Sequence, residues 1–340
     1  MEEFMELVRK MSQIPGVSGC EDGVQDVFHW PWSWKRTPLG SYIYNIQEKG
    51  PDFPHLLLTA HMDQIGLIVT GITENGFLRV AGVGGADRAV LPAAQVQIHV
   101  GKHSFPGVIC TVPPHLSKEN DVLPQIEDLA VDAGFSSKEQ AEKEIPVGSR
   151  ITFLQEPSEL LNGRYSAQGL DNRAGCAAVM LAAQALASSH LDCSISVLLT
   201  TLEEVGEQGA ATAARLVSPT HAVVVDVSFA HTPDARRSQC GEMGKGVMIG
   251  ISPVLDNDMT DAMCRIATEN KIPWQPEVMG GMTGTDSDAI AVANHGVACS
   301  LLSIPLRYMH TPVEVIDPED IRSVVDLIVT YSREKFGGAL

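Results

Sequence analysis

Apolar positions at helical spacing open the chain. In "MEEFMELVRKMSQI", Met5, Leu7, Val8 and Met11 fall on one face of a helix. "PGVSGCEDGVQDVF" reads as a turn followed by a short helix. "SYIYNIQ" and "HLLLTA" read as strands, and the second is nearly all apolar, as expected for a strand covered on both faces. After about residue 66 the pattern shortens. "GLIVT", "GFLRV", "QVQIHV", "FPGVIC" and "RITFL" are brief strands between Gly, Pro and Asn punctuation, interrupted by one helix around "SSKEQAEKE" that Ser136 or Ser137 can cap. Residues 66–160 therefore read as a small β-rich, barrel-like module inserted in a larger domain made of 1–65 and 161–340. From about 165, helices and strands alternate: "DNRAGCAAVMLAAQALASS", "SISVLLTT", "QGAATAARLV", "HAVVVDVS", "GVMIGIS", "NDMTDAMCRIATEN", "VACSLLS" and "PEDIRSVVDLIVTYSREKF". That order predicts an α/β fold with a mostly parallel sheet and helices on both faces.

In such sheets ligands bind beyond the carboxyl ends of the strands, and those ends carry the unusual residues. His61 and Asp63 follow "HLLLTA", Glu203 and Glu204 follow "SISVLLTT", Asp226 ends "HAVVVDV", and His310 follows "LLSIPLRYM". The helix beginning at Asp171 starts in the same region. Each residue alone has an ordinary reading as a cap, a turn residue or solvated charge. Two imidazoles and several carboxylates gathered at one sheet edge point to bound cations. Only Arg173 and Arg307 stand near enough in the sequence to offset the charge. Nitrogen and oxygen donors without Cys suit Zn²⁺, Co²⁺ or Mn²⁺. Asp63, two residues beyond His61, lies on the same side of an extended segment and can accept the imidazole's other N–H.

The bulk figures narrow the classes. The formal net charge of −18 over 340 residues argues against nucleic acid or an anionic membrane as partner. Seven scattered cysteines without a CxxC pair suit reduced thiols in a cytoplasmic protein. The acidic N-terminal segment does not read as a signal peptide, and no apolar run is long enough to span a bilayer.

"TAHMDQIGLIV", "GLDNRAGCAAV", "TLEEVGEQGA", "VVVDVS", "GTDSDA" and "LRYMHTPVEVI" together resemble the signature set of the glutamyl/deblocking aminopeptidases, a family of dinuclear metallopeptidases that includes the tetrahedral aminopeptidases. The resemblance runs in order over essentially the whole chain. It implies two divalent ions per subunit, bridged by Asp171. His61 and Asp226 would complete one site, and Glu204 and His310 the other. Glu203 would be the general base and Asp63 would orient His61. It also implies short peptides with a free N-terminus as substrates. The implied homo-oligomer is built from dimers, usually a dodecamer, with the inserted β domain making much of the contact. Gln64 and Asn172 stand where many members have acidic residues, and "VGGADRAVLP" and the tryptophan-rich "WPWSW" depart from the usual form.

Peptide hydrolysis explains why two glutamates should be adjacent. Metals can lower the pKa of a shared water, and one carboxylate can take its proton and pass it to the leaving amine. On an extended segment successive side chains point apart, so Glu204 could face a metal while Glu203 faces the water. Arg307 is a candidate for steadying an oxyanion or substrate carbonyl, with an ion pair as its ordinary alternative. Gly281 and Thr285, in the Gly-rich turn "GGMTGTDSDAI", are candidates for close approach of substrate. A metal-dependent deacylase or carboxypeptidase on the same scaffold is the alternative reading. A glycosidase fits less well, because it needs its two carboxyls free to flank a glycosidic bond.

Overall fold

The structure is a computed structural model that describes residues 2–27, 30–112, 115–116, 123–233 and 235–337. After α1 (Glu2–Ser12) come β1 (Trp34–Arg36), β2 (Tyr42–Gln47) and β3 (His55–His61). The barrel strands follow: β4 (Gly66–Ile72), β5 (Leu78–Val83), β6 (Gln95–Val100), β7 (His103–Ile109), β8 (Ala130–Asp132) and, beyond α2 (Lys138–Glu144), β9 (Arg150–Phe153). Then come β10 (Ser158–Glu159), β11 (Tyr165–Ala167), α3 (Leu170–Leu186), β12 (Ser194–Thr200), α4 (Gln208–Val217), β13 (His221–Phe229) and β14 (Val247–Ile251). The chain closes with α5 (Asn257–Glu269), β15 (Trp274–Val278), α6 (Asp286–Ala291), β16 (Ala298–Arg307), β17 (Glu314–Ile316) and α7 (Pro318–Phe336).

The large sheet is α/β and mixed. Its centre, β12-β3-β13-β16, is parallel, as strands linked through helices must be. The flanks are antiparallel: β1 and β2 on one side, β17, β11 and β10 on the other, with β14 against β16 and β15 parallel to β14. The central strands alternate between two cores. Leu56, Leu58 and Ala60 of β3 join the core shared with α1, α3, α5 and α7, while Leu57 joins a second core with Ala210 and Ala213 of α4 and Ile290 of α6. A strand buried on both faces has no polar alternation, which is why "HLLLTA" reads as a plain apolar run. Fully buried Ala174, Ala177 and Ala178 carry little side-chain bulk, which suits close packing of α3 against the sheet.

Strands β4, β5, β8, β7, β6 and β9 close a separate barrel around its own core of Leu67, Val80, Val96, Ile98, Val131 and Ile151. Ser137 caps α2, accepting from the Gln140 N–H. Sequence pattern misses the short strands β1, β8, β15 and β17 and the one-and-a-half-turn α6, whose few residues cannot display a period. In the tryptophan-rich segment, Trp30 and Trp32 meet edge to face at 4.8 Å and pack against the large core, and Trp34 lies in β1.

Candidate metal centre

The sheet's central strands deliver the polar residues to one place. His61 ends β3 directly opposite Thr200, the last residue of β12, so the chain leaving β12 carries Glu203 and Glu204 past the imidazole. These two glutamates do not lie on an extended segment, as the sequence suggests. Leu202 has φ 63°, which breaks the strand, and the following residues form a tight turn in which the Gly206 and Glu207 N–H groups donate to the Glu203 carbonyl. The turn still sends the carboxylates apart: Glu203 Oε2 is 3.9 Å from His61 Nε2, and Glu204 Oε2 is 3.4 Å from His310 Nε2.

Asp171 lies between the two imidazoles. Its Oδ1 is 3.1 Å from His61 Nε2 and its Oδ2 is 3.5 Å from His310 Nε2. Asp226 Oδ1 is 3.5 Å from His61 Nε2. Two groups of donor atoms result, His61 with Asp171 and Asp226, and Asp171 with Glu204 and His310, each with its atoms within 4.8 Å of one another. Asp171 and Asn172 are not helical (ψ 102° and 43°), so the regular turns of α3 begin after them. Asn172 replaces the missing cap: its Oδ1 accepts from Gly175 N, and its Nδ2 donates to the carbonyl of Val225, one residue before Asp226. That amide joins the start of α3 to β13, an arrangement in which a carboxylate could not donate.

A further layer holds these groups in place. His61 Nδ1 lies 3.0 Å from the main-chain oxygen of Asp63 and 3.6 Å from its carboxylate. The carboxylate of Asp63, fully buried, instead accepts from Ser18 Oγ at 2.6 Å, Glu203 N at 3.1 Å and Glu204 N at 3.4 Å. It grips the glutamate turn itself. Glu314 does the same elsewhere, accepting from Asp171 N at 3.1 Å and His310 N at 3.3 Å. His310 Nδ1 is 3.1 Å from the Gly85 carbonyl, on the connection between β5 and β6 of the barrel. A Cβ on Gly85 would come within 2.9 Å of that ring nitrogen, so a side chain at this position must displace the imidazole.

So many carboxylates in one place perturb each other. Burial, with the negative charges of Asp226, Asp286 and Asp171, pushes Glu203 up to about 9 despite His61. Burial and Asp171 push Glu204 up to about 10. Burial would lower His61, but the charges of Glu203 and Asp226 outweigh it and raise the imidazole well above its usual value. The buried guanidinium of Arg173 donates to the Met11 carbonyl and sits against Gly16. Among the described residues, buried Glu204 Oε1 has no hydrogen-bond partner. A crowd of buried acids, two imidazoles and an orphaned carboxylate oxygen fit divalent cations, the charge that would lower every one of these costs.

The residues face a cavity of about 490 Å³. Thr285, which caps α6, lines it; Arg307 and Gly281 are not among the described residues of its wall. Arg307 Nε donates to the His231 carbonyl, and the Gly281 carbonyl accepts from Ser252 Oγ. Sequence reasoning does not reach Glu314, the Gly85 contact or Glu277, which also lines the cavity. Glu314 left one signal, an acidic residue inside an otherwise apolar "VEVI" strand.

Known proteins resemble this chain over nearly their whole length. The family model described as M42 glutamyl aminopeptidase matches residues 40–327. A lysyl aminopeptidase of Pyrococcus furiosus is 32% identical over 332 residues, covering 95% of this chain and 94% of its own. Among solved structures, a TET aminopeptidase from a marine sediment archaeon (Thaumarchaeota archaeon) superposes with a TM-score of 0.91 at 27% identity, covering 97% and 96% of the two chains. The TET1 peptidase of Pyrococcus horikoshii, which can assemble into a tetrahedron or a large octahedral shell, superposes with a TM-score of 0.86 at 31% identity, covering 97% and 99%. With a family match across most of its length and relatives that align end to end, the chain belongs to the M42 glutamyl aminopeptidase family.

Proposed function

We propose that this chain is a metal-dependent aminopeptidase that removes residues one at a time from the free N-terminus of short peptides. The observation that carries the reading is the pair of donor groups sharing Asp171 on a cavity wall. His61, Asp171 and Asp226 would hold one divalent ion and Asp171, Glu204 and His310 the other, with Zn²⁺ or Co²⁺ matching the donor set best and Mn²⁺ next. Such ions, when bound, polarise a carbonyl and lower the pKa of a water they share. Glu203 belongs to neither donor group and lines the same cavity beside His61. It takes the proton of the attacking water and returns it to the departing amine. Asp63 keeps Glu203 in place through its main-chain N–H, and its own main-chain oxygen fixes the tautomer of His61.

The acidic cavity wall favours the α-ammonium of a free N-terminus, positive near neutral pH. The relatives' assemblies support a homo-oligomer built from dimers, with residues 66–160 as the inserted contact domain of a catalytic domain formed by 1–65 and 161–340. The seven unpaired cysteines suit a cytoplasmic, reducing compartment. Among the described residues no helix is long and apolar enough to cross a membrane. Mass spectrometry of a decapeptide digested over time tests the reading. A ladder shortening from the N-terminus, abolished by a chelator and by N-acetylation, is expected; internal cuts, or equal cleavage of the acetylated peptide, would refute it.

A further inference from the structure

We infer that Glu277 selects the substrate, and that the preferred N-terminal residue is cationic, Lys or Arg; the inference rests on the aminopeptidase reading above. Glu277 lies on β15 and belongs to neither donor group, yet lines the same cavity. Register explains how. Asp226 of β13 stands opposite Ser303 of β16, Ser303 stands opposite Met248 of β14, and two residues on, Gly250 stands opposite Glu277. Side chains two apart share a face, so Glu277 lies on the face that carries Asp226 and Ser303. The Glu277 carboxylate reaches across β14 to accept from Ser303 Oγ at 2.6 Å. The carboxylate thus comes to rest about one strand spacing, roughly 5 Å, from the strand that bears Asp226.

Glu277 thus shares one cavity wall with the donor groups, and the same wall includes Val227, Leu301 and Met309. A side chain with an apolar stem and a charged tip matches such a wall, and Lys and Arg have that form. Among the described residues Glu277 has the hydroxyl partners Ser303 and Ser228, and no Lys or Arg is among those of the wall. Burial raises its pKa, the sign of a carboxylate lacking a cation. Glu207, on the same wall, adds a second negative group, which disfavours an acidic N-terminal residue.

A purely structural Glu277, tying β15 to β16 through Ser303, would affect all substrates alike, and so would a Glu277 that held the α-ammonium. The test therefore reads a ratio. The metal-loaded enzyme is assayed on Lys-, Arg-, Leu- and Glu-p-nitroanilide. The wild type should favour Lys and Arg. In Glu277→Gln the ratio of kcat/KM for Lys over Leu should fall about 10- to 100-fold, the worth of one hydrogen bond to a charged group, mainly through KM. Glu277→Asp should restore part of it. A wild type that prefers Leu or Glu, or a Lys/Leu ratio unmoved in Glu277→Gln, overturns the inference and leaves the aminopeptidase reading standing. No turnover of any of the four by the wild type overturns the aminopeptidase reading, and this inference with it.

Discussion

Replacing Asp63 by Asn tests whether the glutamate turn is held from beneath. The side chain is fully buried, and its two oxygens divide their work: Oδ1 accepts from Glu203 N, and Oδ2 accepts from Ser18 Oγ and Glu204 N. An amide keeps one acceptor and turns the other into a donor. Ser18 can rotate its hydroxyl to accept, but a main-chain N–H cannot, so whichever way the amide settles, Glu203 or Glu204 loses its partner. An orphaned buried donor costs about 1–3 kcal/mol, which corresponds to about 5- to 150-fold in an equilibrium constant. The His61 ring should be affected less, because its Nδ1 meets the main-chain oxygen of Asp63 at 3.0 Å, nearer than the carboxylate at 3.6 Å, and the substitution leaves that oxygen in place. The cost should therefore fall on the group that contains Glu204. Calorimetric titration of metal-free protein with Zn²⁺ should show the Asp171–Glu204–His310 step weakened about 10- to 100-fold, with the other step changed less. A His310→Ala background removes the first of these and identifies it. If Asp63→Asn weakens only the step that survives His310→Ala, the carboxylate serves His61 and not the turn, and the reasoning fails.

Glu203→Gln should lower kcat by roughly 10²–10⁴-fold with the metal content retained; near-normal turnover would remove Glu203 from its role as base. Asp286 predicts a pH effect on stability. Burial raises it to about 8, and its Oδ2 accepts from Thr200 Oγ1. The folded protein keeps this proton where the unfolded chain releases it, so the contribution of Asp286 to stability is fully present below about pH 4 and is lost as pH rises toward 8. Asp286→Asn lacks the proton to lose. Its stability relative to wild type, read from urea midpoints of metal-free protein, should rise with pH across that window by up to about 1.4 kcal/mol per unit; a difference that stays flat would contradict the assignment.

The sheet's central strands and the two cores were legible because burial on both faces leaves uninterrupted apolar runs. The strand ends were legible because a His or Asp closing such a run is conspicuous. Glu314, Glu277 and Ser18 were not, since their importance comes from register and from chains returning through distant loops. Glu277 reaches Ser303 from β15 across β14, a relation that no local window contains. The divergence of Glu203 and Glu204 was anticipated for a reason that does not hold: a turn beginning at Leu202, rather than strand alternation, separates them. Arg307 is close to His310 in sequence, but its Nε donates to the His231 carbonyl and it is not among the described residues of the cavity wall.

The contact between Gly85 and His310 has a bearing on how the two halves of the molecule depend on each other. Asp87 N–H donates to the His310 carbonyl while the Gly85 carbonyl faces the imidazole, so one barrel loop holds this histidine by both its main chain and its ring. Gly84 lies against Glu204, where a Cβ would come within 3.2 Å of its Oε2. The barrel is thus a wall of the reaction chamber as well as an appendage available for contact with neighbours. Any displacement of this loop reaches the imidazole through two hydrogen bonds, so the seating of the barrel on the sheet and the geometry of the donor group become two readouts of the same loop.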